Sequence, residues 1–204
     1  MTFPDFFAQI PSITLHDPLA ELLGAAQGGL IEYRFTDAVK LAGHSCPTVA
    51  GAWLSTVRAL RTLYGAATPQ RGNIGVALHE SMESGVAGVI GSVAGLLTGA
   101  AGVGGFKGLG GHHGRRNLLQ FGVSGASSLR FTRRDTNVAV DCVLRLDFVP
   151  GDSRIGSLLP AIVHGQASAD EIRLFGELWQ DRVRRILVEH GDDPRLVEVH
   201  PVLN

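Results

Sequence analysis

The sequence predicts an α+β fold in a single domain spanning residues 1–204. Three observations carry this. Helical and strand periodicities are both present but do not alternate as strand–helix–strand units, which argues against a doubly wound parallel sheet. Apolar residues make up 45% of the 204, ample for a core. No internal repeat, low-complexity tail or linker divides the chain.

Residues 16–29, HDPLAELLGAAQGG, read as a short helix, with Pro18 in its first turn and Leu19, Leu22 and Leu23 on one face. LIEYRF alternates as a strand, and TDAVKLAG makes one or two helical turns ending on Gly43. The clearest helix follows. Val49, Ala50, Trp53, Leu54, Val57, Leu60 and Tyr64 recur at spacings of three and four, Arg58 and Arg61 lie on the other face, and Gly65 stops it. Pro47 suits the first helical position, because its fixed φ fits and its missing N–H costs nothing there. Cys46 is then the N-cap.

Residues 73–79 form a strand. The run 85–105 is long and weakly polar enough to raise a membrane span. Its Gly and Ala content and lack of flanking aromatic anchors favour a buried helix that runs into a loop. Residues 118–123, 128–134 and 137–150 are strand-like. In the last, Val138, Val140, Cys142, Leu144 and Leu146 face one way, and Ala139, Asp141, Val143, Arg145 and Asp147 the other. A final helix at about 168–190 opens with a Ser168–Glu171 capping box and turns Ile172, Phe175, Leu178, Trp179, Val183, Ile186 and Leu187 inward.

Charge narrows the partners. The net charge is −1 and no basic stripe occurs, so nucleic acid is not expected. Charged residues are only 18%, which points to apolar surface covered by a second copy in a homodimer. The start has no basic-then-apolar leader, and two cysteines make no disulfide framework, so a cytoplasmic location is expected and no membrane association.

The chemistry concentrates at residues 43–47, GHSCP. A helix N terminus carries partial positive charge and favours thiolate over thiol, and a thiolate is both nucleophile and metal ligand. His44 stands two residues before Cys46 and either binds the same ion or holds the sulfur. The alternative is a small buried cap beside a hydrogen-bonded turn histidine. Cys142, mid-strand on the apolar face, reads as a small hydrophobe.

Residues 33–60, YRFTDAVKLAGHSCPTVAGAWLSTVRAL, resemble the signature of the FmdE-like family, a group named for one of the components of formylmethanofuran dehydrogenase. The matching positions are Phe35 and Asp37, then Gly43, His44, Cys46 and Pro47, then Gly51. LTGAAGVGGFKGLGGHHGRRNLL resembles the family's Gly-rich second element, with Gly114, Arg115, Arg116, Asn117 and Leu118 in its final positions. The resemblance spans roughly residues 30–150. It implies an α+β core, often dimeric, with a Cys- and His-rich cleft for a transition metal, commonly zinc. The chain departs from the pattern. Ala42 stands where the family often has His, no cysteine occurs between 46 and 142, and the C-terminal zinc ribbon is absent.

A site like the family's therefore needs other ligands. The loop GGFKGLGGHHGRRN supplies His112 and His113, and Lys107, Arg115 and Arg116 add positive charge suited to a carboxylate, a phosphate or a cofactor edge. The plainer reading is a solvated surface loop. It is not a P-loop, since no Gly-Lys-Ser/Thr ends it. Glu80 and Glu83, beside His79, are either acid/base groups or carboxylates at a helix start. His16 is a turn residue, and His164, His190 and His200 are surface groups.

These readings converge on a transition-metal-binding or thiolate-dependent protein with His44 and Cys46 as catalytic or ligand groups, His112 and His113 as further ligands, and an unidentified small-molecule ligand. Two alternatives stand beside it: a haem-binding or haem-sensing protein with Cys46 as axial ligand, and a non-catalytic interaction protein. One of His112 and His113 is expected within reach of Cys46, with Arg115 or Arg116 close to the same cleft.

Overall fold

A computed structural model describes residues 2–125 and 128–202. The first strand and helix are β1 (Ile13–His16) and α1 (Pro18–Leu22). Next come β2 (Leu30–Tyr33), α2 (Phe35–Ala42), α3 (Pro47–Tyr64), β3 (Ile74–Leu78), α4 (Ala87–Thr98), β4 (Leu119–Gln120), β5 (Leu129–Arg133) and β6 (Ala139–Leu144). Helices α5 (Arg154–Val163) and α6 (Ala169–Arg184) and strand β7 (Val197–Pro201) complete the chain. The fold is α+β. Strands β1 and β2 pair antiparallel, and a five-stranded sheet runs in the order β4-β3-β5-β6-β7. Only the short β3–β4 pairing in that sheet is parallel.

Helix α3 is the central element, packed across β6 and β7 with α4 alongside. Residues on all its sides are buried, among them Val49, Ala52, Trp53, Thr56 and Leu60. Gly51 lets the helix approach Leu144 more closely than any Cβ would permit. Phe35 meets the Trp53 ring edge-on at 6.1 Å, and Phe7 meets Phe35 at 5.0 Å, which ties the N-terminal turn to the core.

The Gly/Ala segment is the 12-residue helix α4, and its small residues serve contacts inside this chain. Gly91 packs under Phe121, and Gly95 lies against the carbonyl of Ala100. Among the described residues no helix is long and apolar enough to cross a membrane.

Four expectations change. Strand β6 ends at Leu144, so Leu146 leaves the apolar face for a short 3₁₀ turn, and Val138 precedes the strand and is exposed. Ile172, expected to face inward, is 52% exposed, on a helix whose main neighbour is α5. Helix α5 has no counterpart among the elements expected from the sequence, since Pro160 interrupts it and no side chain caps its start. Glu80 and Glu83 lie in the exposed stretch before α4, which starts only at Ala87.

Candidate thiol site at the start of helix α3

Cys46 caps α3 as its position beside Pro47 implies. Its backbone is extended, and its Sγ accepts the Val49 N–H at 3.4 Å, satisfying one of the unpaired amides of the first turn. The residue is buried, at 8% exposure. Gly43 ends α2 in the left-handed conformation at φ 75°, which is what turns the chain between the two helices.

His44 is exposed at this corner. Its Nδ1 lies 2.9 Å from the Ala42 carbonyl. A carbonyl only accepts, so Nδ1 carries the hydrogen and neutral Nε2 keeps its lone pair for another partner. Such a carbonyl contact commonly orients a ligating imidazole. The histidine borders a cavity of about 210 Å³ formed with Leu41, Ala42, Gly88, Val89, Ser92 and Val93.

Ser45 between them is held by α6. Its carbonyl accepts the Trp179 Nε1–H and the Gln180 Nε2–H, each at 3.1 Å. Ser45 Oγ and Gln180 Oε1 are buried at the same corner with no hydrogen-bond partner. Trp179 was visible in the sequence as an inward-facing residue. Nothing in the local pattern marked Ser45 or Gln180 as its neighbours.

The Gly-rich loop does not complete a metal set here. Among the described residues no three His, Cys, Asp or Glu side chains gather so as to hold a metal ion, so neither His112 nor His113 joins His44 and Cys46. Instead Leu109 and His112 bond to each other in a tight turn, with His113 just beyond it at φ 60°. The two imidazoles are 6.4 Å apart, centroid to centroid. A structural zinc needs four donors, and this corner offers two, so the residues do not fit a closed zinc centre.

The loop's charges also divide. Lys107 and Arg116 are exposed. Arg115 is buried, and its Nη2 pairs with Asp17 Oδ1 at 2.6 Å. Arg71 Nη1 takes Asp17 Oδ2 at 2.5 Å, while its other nitrogens bond the carbonyls of Leu96 and Leu97 at the end of α4. Side chains at Gly72 or Gly99 would collide with the Arg115 guanidinium. Arg115 therefore locks the loop to the N-terminal helix. Its neutral form is favoured by burial and opposed by Asp17, leaving its pKa below the usual arginine value.

Cys142 has the structural role expected of it. It is 1% exposed, bonds the Ser55 carbonyl at 3.6 Å, and burial pushes its pKa up to about 12. A groove of about 660 Å³ lies along the second half of α3 and the 187–195 turn. Its charges are engaged with one another. Arg58 bonds the Asp193 carbonyl, Arg61 faces Asp192, and Arg195 grips Asp193. His16 bonds Glu21, and His164, His190 and His200 each have a local partner.

No protein-family model matches this chain, and no curated protein matches it. The FmdE-like resemblance rests on its motif residues alone, which here assemble the corner of His44, Ser45 and Cys46.

Proposed function

We propose that this is a thiol-dependent, FmdE-like protein that acts on a small ligand at the α2–α3 corner. Cys46 Sγ is its working atom, and His44 Nε2 is the neighbouring base or second donor. One observation carries the reading: a cysteine caps an 18-residue helix two residues after a histidine whose Nδ1 is fixed and whose Nε2 is free. Negative charge that builds on the sulfur, in attack on an electrophile or in binding a soft metal, is favoured at a helix N terminus.

The cavity beside His44 has the volume of about seven waters, which suits a small molecule. Ser45 Oγ and Gln180 Oε1, buried at the same corner, are hydrogen-bonding groups that no protein atom uses. A rival reading, in which Cys46 only caps the helix, is favoured by its 8% exposure. Alkylation of the native protein separates the two. Thiol dependence requires that iodoacetamide modify Cys46 in the folded state, that the reaction vanish in Cys46→Ser, and that His44→Ala change its rate. Modification of Cys46 only as fast as the whole protein unfolds would establish the cap-only reading.

A further inference from the structure

A second small cavity, of about 120 Å³, lies where α3, β3, β5 and β6 meet the start of α4. Ala87 and Ile90 border it, whereas Gly88 and Val89 border the cavity beside His44, and the two share no lining residue. Its walls are apolar, formed by Leu78, Ile90, Leu129 and Leu144. Exposure falls from mouth to floor. Glu80 is open to solvent and Val86 is 47% exposed, while Ser55 and Cys142 are each 1% exposed.

The floor holds an unmet hydroxyl. Serine and threonine inside a helix commonly donate to the carbonyl one turn back. Thr56 and Thr62 on α3 do so, as do Ser92 and Thr98 on α4. Ser55 does not, and its Oγ is buried without a hydrogen-bond partner. It stands one turn after Gly51, on the face of α3 that meets Leu144, and so borders the cavity. A hydroxyl buried in this way costs stability until something in the cavity bonds it.

The mouth offers acceptors. Among the described residues Glu80 is the one charged group of the lining, and no hydrogen bond or ion pair engages its carboxylate. Ser128 donates its hydrogen to the Cys142 carbonyl at 2.7 Å, which leaves its lone pairs for a donor. Cys142 in turn donates to the Ser55 carbonyl. The chemistry that complements this lining is a cationic donor at the mouth, a short apolar middle and a neutral polar group at the floor.

We propose that this cavity binds a small amino alcohol, whose ammonium meets Glu80 and Ser128 and whose hydroxyl bonds Ser55 Oγ. A space of about four waters takes a chain of roughly three carbons between the two groups. The ammonium stays at the exposed mouth, where water still reaches it, and only the neutral hydroxyl enters the floor. A diamine would have to desolvate a second charge there. The site does not rest on the reading of Cys46, since none of its residues belongs to the α2–α3 corner.

The test is isothermal titration calorimetry with three ligands of one size. Aminopropanol with its groups at opposite ends should bind with a dissociation constant of about 1 mM or tighter. Butylamine has a methyl in place of the hydroxyl, and propanediol a hydroxyl in place of the ammonium. Each should bind about tenfold more weakly. Glu80→Gln should abolish the preference for aminopropanol over the diol, and Ser55→Ala the preference for aminopropanol over butylamine. Glu83→Gln, in the same exposed stretch but outside the lining, is the control and should bind as the wild type does. Neither Glu80→Gln nor Ser55→Ala should lower the melting temperature of the free protein, because one site is exposed and the other hydroxyl is unpartnered. A lower melting temperature for Ser55→Ala would mean that the hydroxyl is bonded within the chain, and would overturn the assignment. So would a wild type that does not bind aminopropanol, a preference that outlives its own variant, or weakened binding in Glu83→Gln. Amide NMR shifts locate the ligand. They are expected at Leu78, Leu129 and Cys142, equally in the wild type and in Cys46→Ser. Shifts confined to residues 41–46 would place the ligand at the α2–α3 corner and overturn the second site.

Discussion

The indole N–H of Trp179 donates to the carbonyl of Ser45 at 3.1 Å, across 134 positions of sequence. Gln180 donates to the same oxygen, so the loop that carries His44 and Cys46 hangs from α6. Trp179→Phe keeps the ring and removes one of the two donors. It should cost about 1 kcal/mol in a urea titration, the net worth of one hydrogen bond whose acceptor keeps a second partner. Trp179→Ala also removes the stack on Phe175 and should cost about 3 kcal/mol or more. No effect of Trp179→Phe would mean that the bond contributes nothing, and equal effects of the two would mean that the stack contributes nothing.

Asp17 faces two guanidinium groups and is 4% exposed. Asp17→Asn leaves the buried Arg115 and the half-buried Arg71 without their counter-charge and should destabilise by about 3–5 kcal/mol. A loss under about 1 kcal/mol would show that Arg115 finds other compensation in the folded state.

The same pair has a pH signature. Burial pushes the Asp17 carboxyl up, but Arg115, Arg71 and the Ala20 N–H outweigh it and hold the pKa below its ordinary value of 3.8. A carboxyl depressed by folding adds stability that is fully present above the unfolded pKa, about 3.9, and is lost as pH falls through the folded value. The stability gap between wild type and Asp17→Asn should therefore be constant above about pH 5 and close progressively in acid. Thermal melts of both proteins across that range measure it, and a gap that widens in acid contradicts the sign.

The two thiols should differ sharply. With its pKa pushed up to about 12, Cys142 has at neutral pH about three-thousandfold less thiolate than an ordinary cysteine near 8.5. Mass spectrometry after native alkylation should find Cys142 unmodified until the protein is denatured, with Cys46 carrying any label. Early modification of Cys142 would show that the α3–β6 contact opens in the native state.

Added Co(II) should report the two donors of the corner. Weak binding with a thiolate–metal absorption band is expected, abolished in Cys46→Ser and weakened about tenfold or more in His44→Ala. His112→Ala and His113→Ala should leave it unchanged, since neither ring joins the cluster. Chelator should not shift the melting temperature, because the two donors of this corner make no closed zinc site. A band that needs His112 or His113 would restore that loop histidine as a ligand beside His44 and Cys46.

Much of this corner was legible along the chain, because its determinants are local. Gly43, Cys46 and Pro47 mark the end of one helix and the cap of the next by φ preference and a missing amide, and the structure places all three as their neighbours require. The three- and four-residue spacing of Val49, Trp53, Val57 and Leu60 sets the core face of α3, and Ser168 with Glu171 sets the start of α6. Contacts between distant residues leave no such trace. That Arg115 answers Asp17 98 residues away, that Trp179 reaches Ser45, and that β4 runs parallel to β3 all depend on how the elements pack. Ile172 shows the limit most plainly. Its period matched a core position, but helical period records only which side chains share a face, and the packing of α5 against α6 decided that this part of the face would meet another helix and water.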